Sequence, residues 1–296
     1  MKLVLTGSES FIGKALKRQC QEEGVETFGI DVAPSQESNH RQMSICSPEI
    51  AQAIPRDADA LVHLAAVSTE KACRADARVA FDVNVGGTIN LVRAAQARGI
   101  KQFIFASTEW VYGEVGNSDT QTEDSPIDAN RFTSEYALTK IVGERLLWLA
   151  HMRDTLSVTV LRFGIVYGPR PSNWSAVEHL FHAIRTTNAV EVGSLRTARR
   201  FIHVSDIASG ILRAVGRNGF ETFNLTGNVL ITLRDIIEQS SAVLGCLPQV
   251  IERDPAAVSI RNPDNQRARE VLRWDPAIGL KEGLLTLVSE KEGCLA

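Results

Sequence analysis

The sequence predicts a doubly wound α/β fold: an open parallel sheet covered by helices on both faces, with a smaller C-terminal domain attached. Three observations predict it. Short β-branched apolar runs alternate with longer amphipathic segments up to about Gly168. Beyond that point the rhythm turns irregular, with Pro169, Pro171 and a run of polar residues. The length of 296 residues is near the upper size for a single hydrophobic core and suits one large domain with a smaller appendage.

In order, the spacing predicts a strand over 2–6 and a helix over 12–23, a strand over 25–31, and a strand over 60–65 followed by a helix over 77–98. A strand over 102–107 with a helix over 133–150, and a strand over 157–163, complete the repeat. Residues 201–204 and 206–215 read as one more strand and helix, so 201–216 is expected to return to the first domain, 1–168. The remainder of 169–296 forms the second domain. No internal repeat and no low-complexity tract interrupts this plan.

Apolar residues at 44% and charged residues at 23% exclude a disordered or collagen-like chain. A net charge of −3 carries no electrostatic footprint for nucleic acid or an anionic membrane, so a small-molecule partner is expected. Cys20, Cys46, Cys73, Cys246 and Cys294 are odd in number, scattered and free of C-x-x-C spacing, which argues against a disulfide framework or a zinc site. With no apolar leader after Met1, these cysteines point to the cytoplasm. His179 and His182 lie three apart without a carboxylate or cysteine at metal spacing, so no metal is expected.

The turn Thr6-Gly7-Ser8-Glu9-Ser10-Phe11-Ile12-Gly13 lies between the first strand and the first helix, where backbone N–H groups and the positive helix end can hold a pyrophosphate. Gly7 permits the tight turn and Gly13 close helix packing; Ser10 takes the place of the middle glycine. Asp31 ends the second strand about 20 residues on, where a carboxylate accepts hydrogen bonds from ribose hydroxyls. It would repel a 2′-phosphate, and no Arg or Lys follows before Arg41, so NAD is favoured over NADP. The first domain is thereby a dinucleotide-binding domain.

Tyr136 and Lys140 stand four apart in a helical pattern, so phenol and ammonium share one face. A Tyr followed four residues later by a Lys is expected by chance only about 0.08 times in this composition. A free phenol titrates near 10, and bringing it toward 7 takes about 4 kcal/mol of preferential phenolate stabilisation from nearby cations. Thr108 closes the strand over 102–107, and carboxyl ends of parallel strands face the ligand crevice, so its hydroxyl is expected to bond the reacting oxygen.

These residues, with His63-Leu64-Ala65-Ala66, Asn84-Val85-Gly86-Gly87-Thr88, Val111-Tyr112-Gly113, Leu161-Arg162-Phe163, Arg200-Phe201-Ile202-His203-Val204 and Leu272-Arg273-Trp274-Asp275-Pro276, resemble the extended short-chain dehydrogenase/reductase family, in its NAD-dependent epimerase/dehydratase branch. The resemblance covers nearly the whole chain. It implies a Rossmann sheet, NAD as cofactor, a nucleotide-sugar substrate and a homodimer paired through the helices over 77–98 and 133–150. It also implies a triad of Thr108, Tyr136 and Lys140, in which Tyr136 deprotonates a sugar hydroxyl, usually at C4, while NAD takes hydride. By the same resemblance Phe11, Ile12, Leu64, Ala65, Ala66 and Asn84 contribute to the cofactor site, and Arg200 meets the substrate diphosphate.

Departures from the family pattern choose among reactions. Dehydratases carry two acids after the catalytic threonine; here the pair is Glu109 and Trp110, and an indole cannot accept a C5 proton. Glu109 is left as an acid, a ligand of a substrate hydroxyl or an orienting surface carboxylate. Ile165 and Ser44 replace a substrate-binding asparagine and an adenine-binding aspartate. Trp174 either stacks on a base or anchors a core. C4 epimerisation is therefore the leading expectation. A 4-keto reductase or sugar dehydrogenase is the alternative, and a 4,6-dehydratase or a non-catalytic NAD-binding sensor ranks below.

Overall fold

Seven segments extend and pair in parallel: β1 (Lys2–Thr6), β2 (Glu26–Asp31), β3 (His40–Gln42), β4 (Ala60–His63), β5 (Gln102–Thr108), β6 (Ser157–Phe163) and β7 (Phe220–Leu225). The computed structural model describes residues 1–113, 119–154 and 156–289, so Cys294 lies outside the described residues. The strands lie in the order β3-β2-β1-β4-β5-β6-β7, which reverses direction between β1 and β4 and opens a crevice at their carboxyl ends. Register places Thr6 beside both Ile30 and His63, and Thr108 beside Phe163.

The sheet is buried on both faces. Leu3, Leu5, Val62, Ile104 and Leu161 point to one side, against helices α1 (Phe11–Glu22) and, further along the chain, Val204–Arg213. Val4, Leu61, Phe103, Phe105 and Val160 point to the other, against α2 (Gly87–Arg98) and α3 (Glu135–Asp154). Phe103 and Phe105 are fully enclosed, each contributing about 2–3 kcal/mol by leaving water. A third apolar cluster gathers Val177, Phe181 and Ile184 of α4 (Ala176–Thr187), Ile236 and Ile237, and Leu284. The longer helices that follow are α5 (Val204–Arg213), α6 (Leu233–Leu244) and α7 (Leu280–Ser289). Among the described residues no helix is long and apolar enough to cross a membrane.

Two elements differ from expectation. The helix expected over 77–98 is broken: Ala77–Phe81 and α2 are joined by a π-helical turn at Asp82–Gly86. The wider turn carries Asn84 inward, where its amide bonds both Val67 backbone groups and the Thr139 hydroxyl. The strand expected over 201–204 does not enter the main sheet. Ile202–His203 pairs instead with Val166–Tyr167, while α5 packs on the sheet and β7 joins β6. As an edge strand, β7 needs only one partner and is half-buried over its first three residues, so its sequence, broken by Glu221, Thr222 and Asn224, lacks the apolar signal of a central strand.

Candidate active site

The turn after β1 holds its shape through backbone alone. Gly7 adopts φ +73° and donates to the Ile30 carbonyl at 2.9 Å; a Cβ there would lie 2.6 Å from the Ala65 nitrogen. Ser10 caps α1, its Oγ accepting from Gly13 N at 3.1 Å, so a hydroxyl performs a local task where a glycine was expected. Asp31 ties the end of β2 to this turn: one carboxylate oxygen accepts from Glu9 N at 2.9 Å and the other from Ala33 N at 3.0 Å.

A cavity of about 1130 Å³ runs along this seam. Gly7, Ser10, Phe11, Ile12, Asp31, Leu64, Ala65 and Ala66 line it, as do Tyr136 and Lys140. The glycine cradle, the capped helix end and the carboxylate at the tip of β2 fit a dinucleotide. Two of the expected cofactor residues act from behind this wall. Gly13 is where α1 crosses the turn, since a Cβ would lie 2.2 Å from the Gly7 carbonyl oxygen. Asn84 is 2% exposed and its amide is taken up by Val67 and Thr139, so it positions the wall of the cavity and the helix that carries Tyr136 and Lys140.

Lys140 is 2% exposed, donates to the Ala106 carbonyl at 2.8 Å, and lies 5.7 Å from the centre of the Tyr136 ring. Burial lowers its ammonium to about 8. Burial pushes the Tyr136 phenol above its ordinary value, and the nearby Cys73 adds to this.

Tyr136 and Ser107 also border a second, smaller pocket of about 280 Å³, together with Thr108, Trp110 and Phe163. The two hydroxyls at the end of β5 have different employment. Ser107 donates to Glu144 at 2.6 Å, within a buried set in which Arg162 bonds Glu144 at 2.7 and 3.0 Å and the Tyr112 hydroxyl at 3.0 Å. Thr108 Oγ1 accepts only a local bond from Trp110 N at 3.3 Å, which leaves its O–H for the pocket. The Val111-Tyr112 and Leu161-Arg162 motifs thus brace the strand end that presents Thr108.

Glu109 is neither at the surface nor in the pocket. It is fully buried, 3.6 Å from Arg199 and 3.5 Å from Arg261, and the Arg261 guanidinium lies 4.3 Å over the Trp110 ring. A carboxylate so placed lies within reach of two arginines and outside the residues that line the small pocket. Arg200 is likewise turned away, donating to Asn262 at 2.6 Å and to the Asn228 carbonyl at 3.0 Å; burial lowers its guanidinium. Trp174 donates to the Arg170 carbonyl at 2.8 Å and packs against His179 and His182, on a shallow pocket beside the small one.

Sequence reasoning missed Glu70 and Arg170, which line the small pocket. Both follow strand ends, Glu70 at the start of the short helix that follows the loop after β4 and Arg170 after Gly168-Pro169, and such connections face the crevice. That position was the available signal. Ser134 was missed as well: its Oγ accepts from Ala137 N at 3.2 Å at the start of the helix that carries Tyr136.

The chain is similar to known proteins. The NAD dependent epimerase/dehydratase family matches residues 3–226. A UDP-glucuronate 4-epimerase of Thermodesulfobacterium geofontis is 30% identical over 234 residues, which is 78% of this chain and 71% of that one. A UDP-glucose 4-epimerase of Mycolicibacterium smegmatis is 29% identical over 311 aligned positions, 97% of each chain. The structure of a UDP-glucose 4-epimerase from Thermus thermophilus in complex with NAD superposes with a TM-score of 0.86 at 23% identity, covering 100% of both chains. With its glycine turn, Asp31 and the Tyr136–Lys140 pair on one cavity, the chain belongs to the NAD-dependent epimerase/dehydratase family of enzymes, and its cofactor is NAD.

Proposed function

We propose that the protein is a UDP-hexose 4-epimerase that works through a transient 4-keto sugar. The observation that carries this reading is that Tyr136 borders both the cofactor cavity and the small pocket, with Lys140 on one side and Thr108 on the other. Relatives named as 4-epimerases of UDP-glucose and UDP-glucuronate support the substrate class. Bound NAD supplies a two-electron acceptor and returns the same pair of electrons. Tyr136 Oη takes the proton of the C4 hydroxyl as that carbon is oxidised, and gives it back once the ketone has presented its other face. Lys140, held by the Ala106 carbonyl, stabilises the phenolate, and the Thr108 hydroxyl bonds the reacting oxygen. Trp110 cannot remove a C5 proton, so the sequence of steps ends at inversion.

The test is incubation with UDP-glucose, following UDP-galactose by NMR and NADH by absorbance. Interconversion without net NADH is expected, and Tyr136→Phe is expected to slow it at least 100-fold with NAD still bound. Net NADH in step with product would assign a sugar dehydrogenase instead.

The dinucleotide-binding unit is assigned to 1–168 with the stretch that returns from 201 and runs on through β7, and the substrate unit to most of what remains of 169–296. The separate third apolar cluster supports this division. A homodimer through α3 is supported by Leu149 and Met152, which are 49% and 61% exposed on it, and by the exposed Val79 nearby in sequence to α2. A cytoplasmic location rests on the scattered cysteines, of which Cys20 and Cys73 are buried thiols.

A further inference from the structure

We propose that Glu70 makes the sugar pocket selective against uronates, so that the enzyme takes neutral hexoses and discriminates against a C6 carboxylate. The inference rests on the UDP-hexose reading above and names the substrate within it. Thr69 caps the short helix Glu70–Ala75 through a bond from Ala72 N at 3.2 Å, which fixes Glu70 as its first residue. Glu70 borders the small pocket that Tyr136, Thr108 and Trp110 also line. One of its oxygens accepts the Ser134 hydroxyl, and the other meets Arg74 at 3.2 Å.

These partners leave the charge in place. Ser134 is neutral, and the Arg74 side chain is 68% exposed, where water screens its attraction. The cation on the same pocket is differently placed. Arg170 lies 2.8 Å from Glu178, whose side chain is 4% exposed, so its charge is answered by a buried carboxylate. Size then makes the repulsion unavoidable: a space of 280 Å³ is about 8 Å across, so any carboxylate on a bound sugar feels Glu70 at close range. Hydroxyls of a neutral hexose can instead donate to the same carboxylate.

Binding isolates the claim from turnover. UDP-glucose and UDP-glucuronate are titrated by calorimetry into NAD-loaded Tyr136→Phe protein, with and without Glu70→Gln, which retains an oxygen to accept from Ser134. We expect UDP-glucose to bind at least tenfold more tightly than UDP-glucuronate, and Glu70→Gln to reduce that ratio at least fivefold, mainly by improving the uronate. A helix-positioning role alone would weaken both ligands together and leave the ratio unchanged. Equal affinities, preference for the uronate, no binding of either sugar, or an unchanged ratio in Glu70→Gln each overturn the proposal. Discrimination in binding without epimerisation by the Tyr136 form would sink the catalytic reading and leave the selectivity standing.

Discussion

The ion pair beneath Thr108 allows a quantitative test. Arg162 and Glu144 meet in a two-point contact at 2.7 and 3.0 Å, with side chains 4% exposed on each partner. Burial alone would lower the Arg162 guanidinium, but the Glu144 carboxylate and the Tyr112 hydroxyl outweigh it and hold it above its ordinary value. Glu144→Leu leaves a guanidinium among apolar groups, and Arg162→Met leaves a carboxylate there. Each is expected to cost about 3–5 kcal/mol, because desolvation is no longer offset. Replacing both removes the penalty with the pair, so the double variant should lose only about 0–2 kcal/mol, far below the sum. Urea denaturation of the four proteins reads these differences directly, and at roughly 2 °C per kcal/mol each single variant should melt about 6–10 °C lower. Additive losses in the double variant, or singles costing under about 1 kcal/mol, would refute the argument that this pair is desolvated and coupled.

Further tests address the cofactor, pH and assembly. Asp31→Ala removes the acceptor for two backbone N–H groups and for the ribose, so the Kd for NAD should rise at least about tenfold while the preference over NADP collapses; calorimetry with both nucleotides decides it. Burial lowers His203 to about 4, with the charge of Arg18 adding to the effect. Between pH 6.5 and 4 the unfolded chain binds a proton that the folded one refuses, so stability falls as pH falls, by about 3 kcal/mol across that window. The buried His63, also held low, adds with the same sign. Urea midpoints at pH 7 and 4.5 should converge in His203→Gln; an unchanged slope counts against it. Leu149→Glu, on the exposed face of α3, should convert dimer to monomer in sedimentation while leaving the melting profile of the monomer intact, and a parent protein that is already monomeric removes the basis for that expectation.

Much of the frame was legible because it rests on local rules. A strand buried on both faces must be apolar throughout, and a turn that approaches a backbone must be glycine, so β1, Gly7 and Asp31 could be placed without coordinates. The helical repeat likewise brings Tyr136 and Lys140 to one face. The π turn at Asp82–Gly86 was hidden, since one added residue in a helix leaves no mark on apolar spacing. The edge strand β7 was hidden because a strand with one neighbour tolerates polar residues.

The chain's own order of residues determined the sheet, the cofactor loop and the phenol with its cation, each set by neighbours within a few turns or one strand. What only the tertiary structure decided is the employment of the charged and hydroxyl groups. Ser107 serves Glu144 while Thr108 faces the pocket; Glu109 is sealed between Arg199 and Arg261; Arg200 turns to Asn262; and Glu70 comes to the small pocket beside Tyr136. A polar side chain acts according to which partner reaches it first once water is removed, and those partners lie far away along the chain.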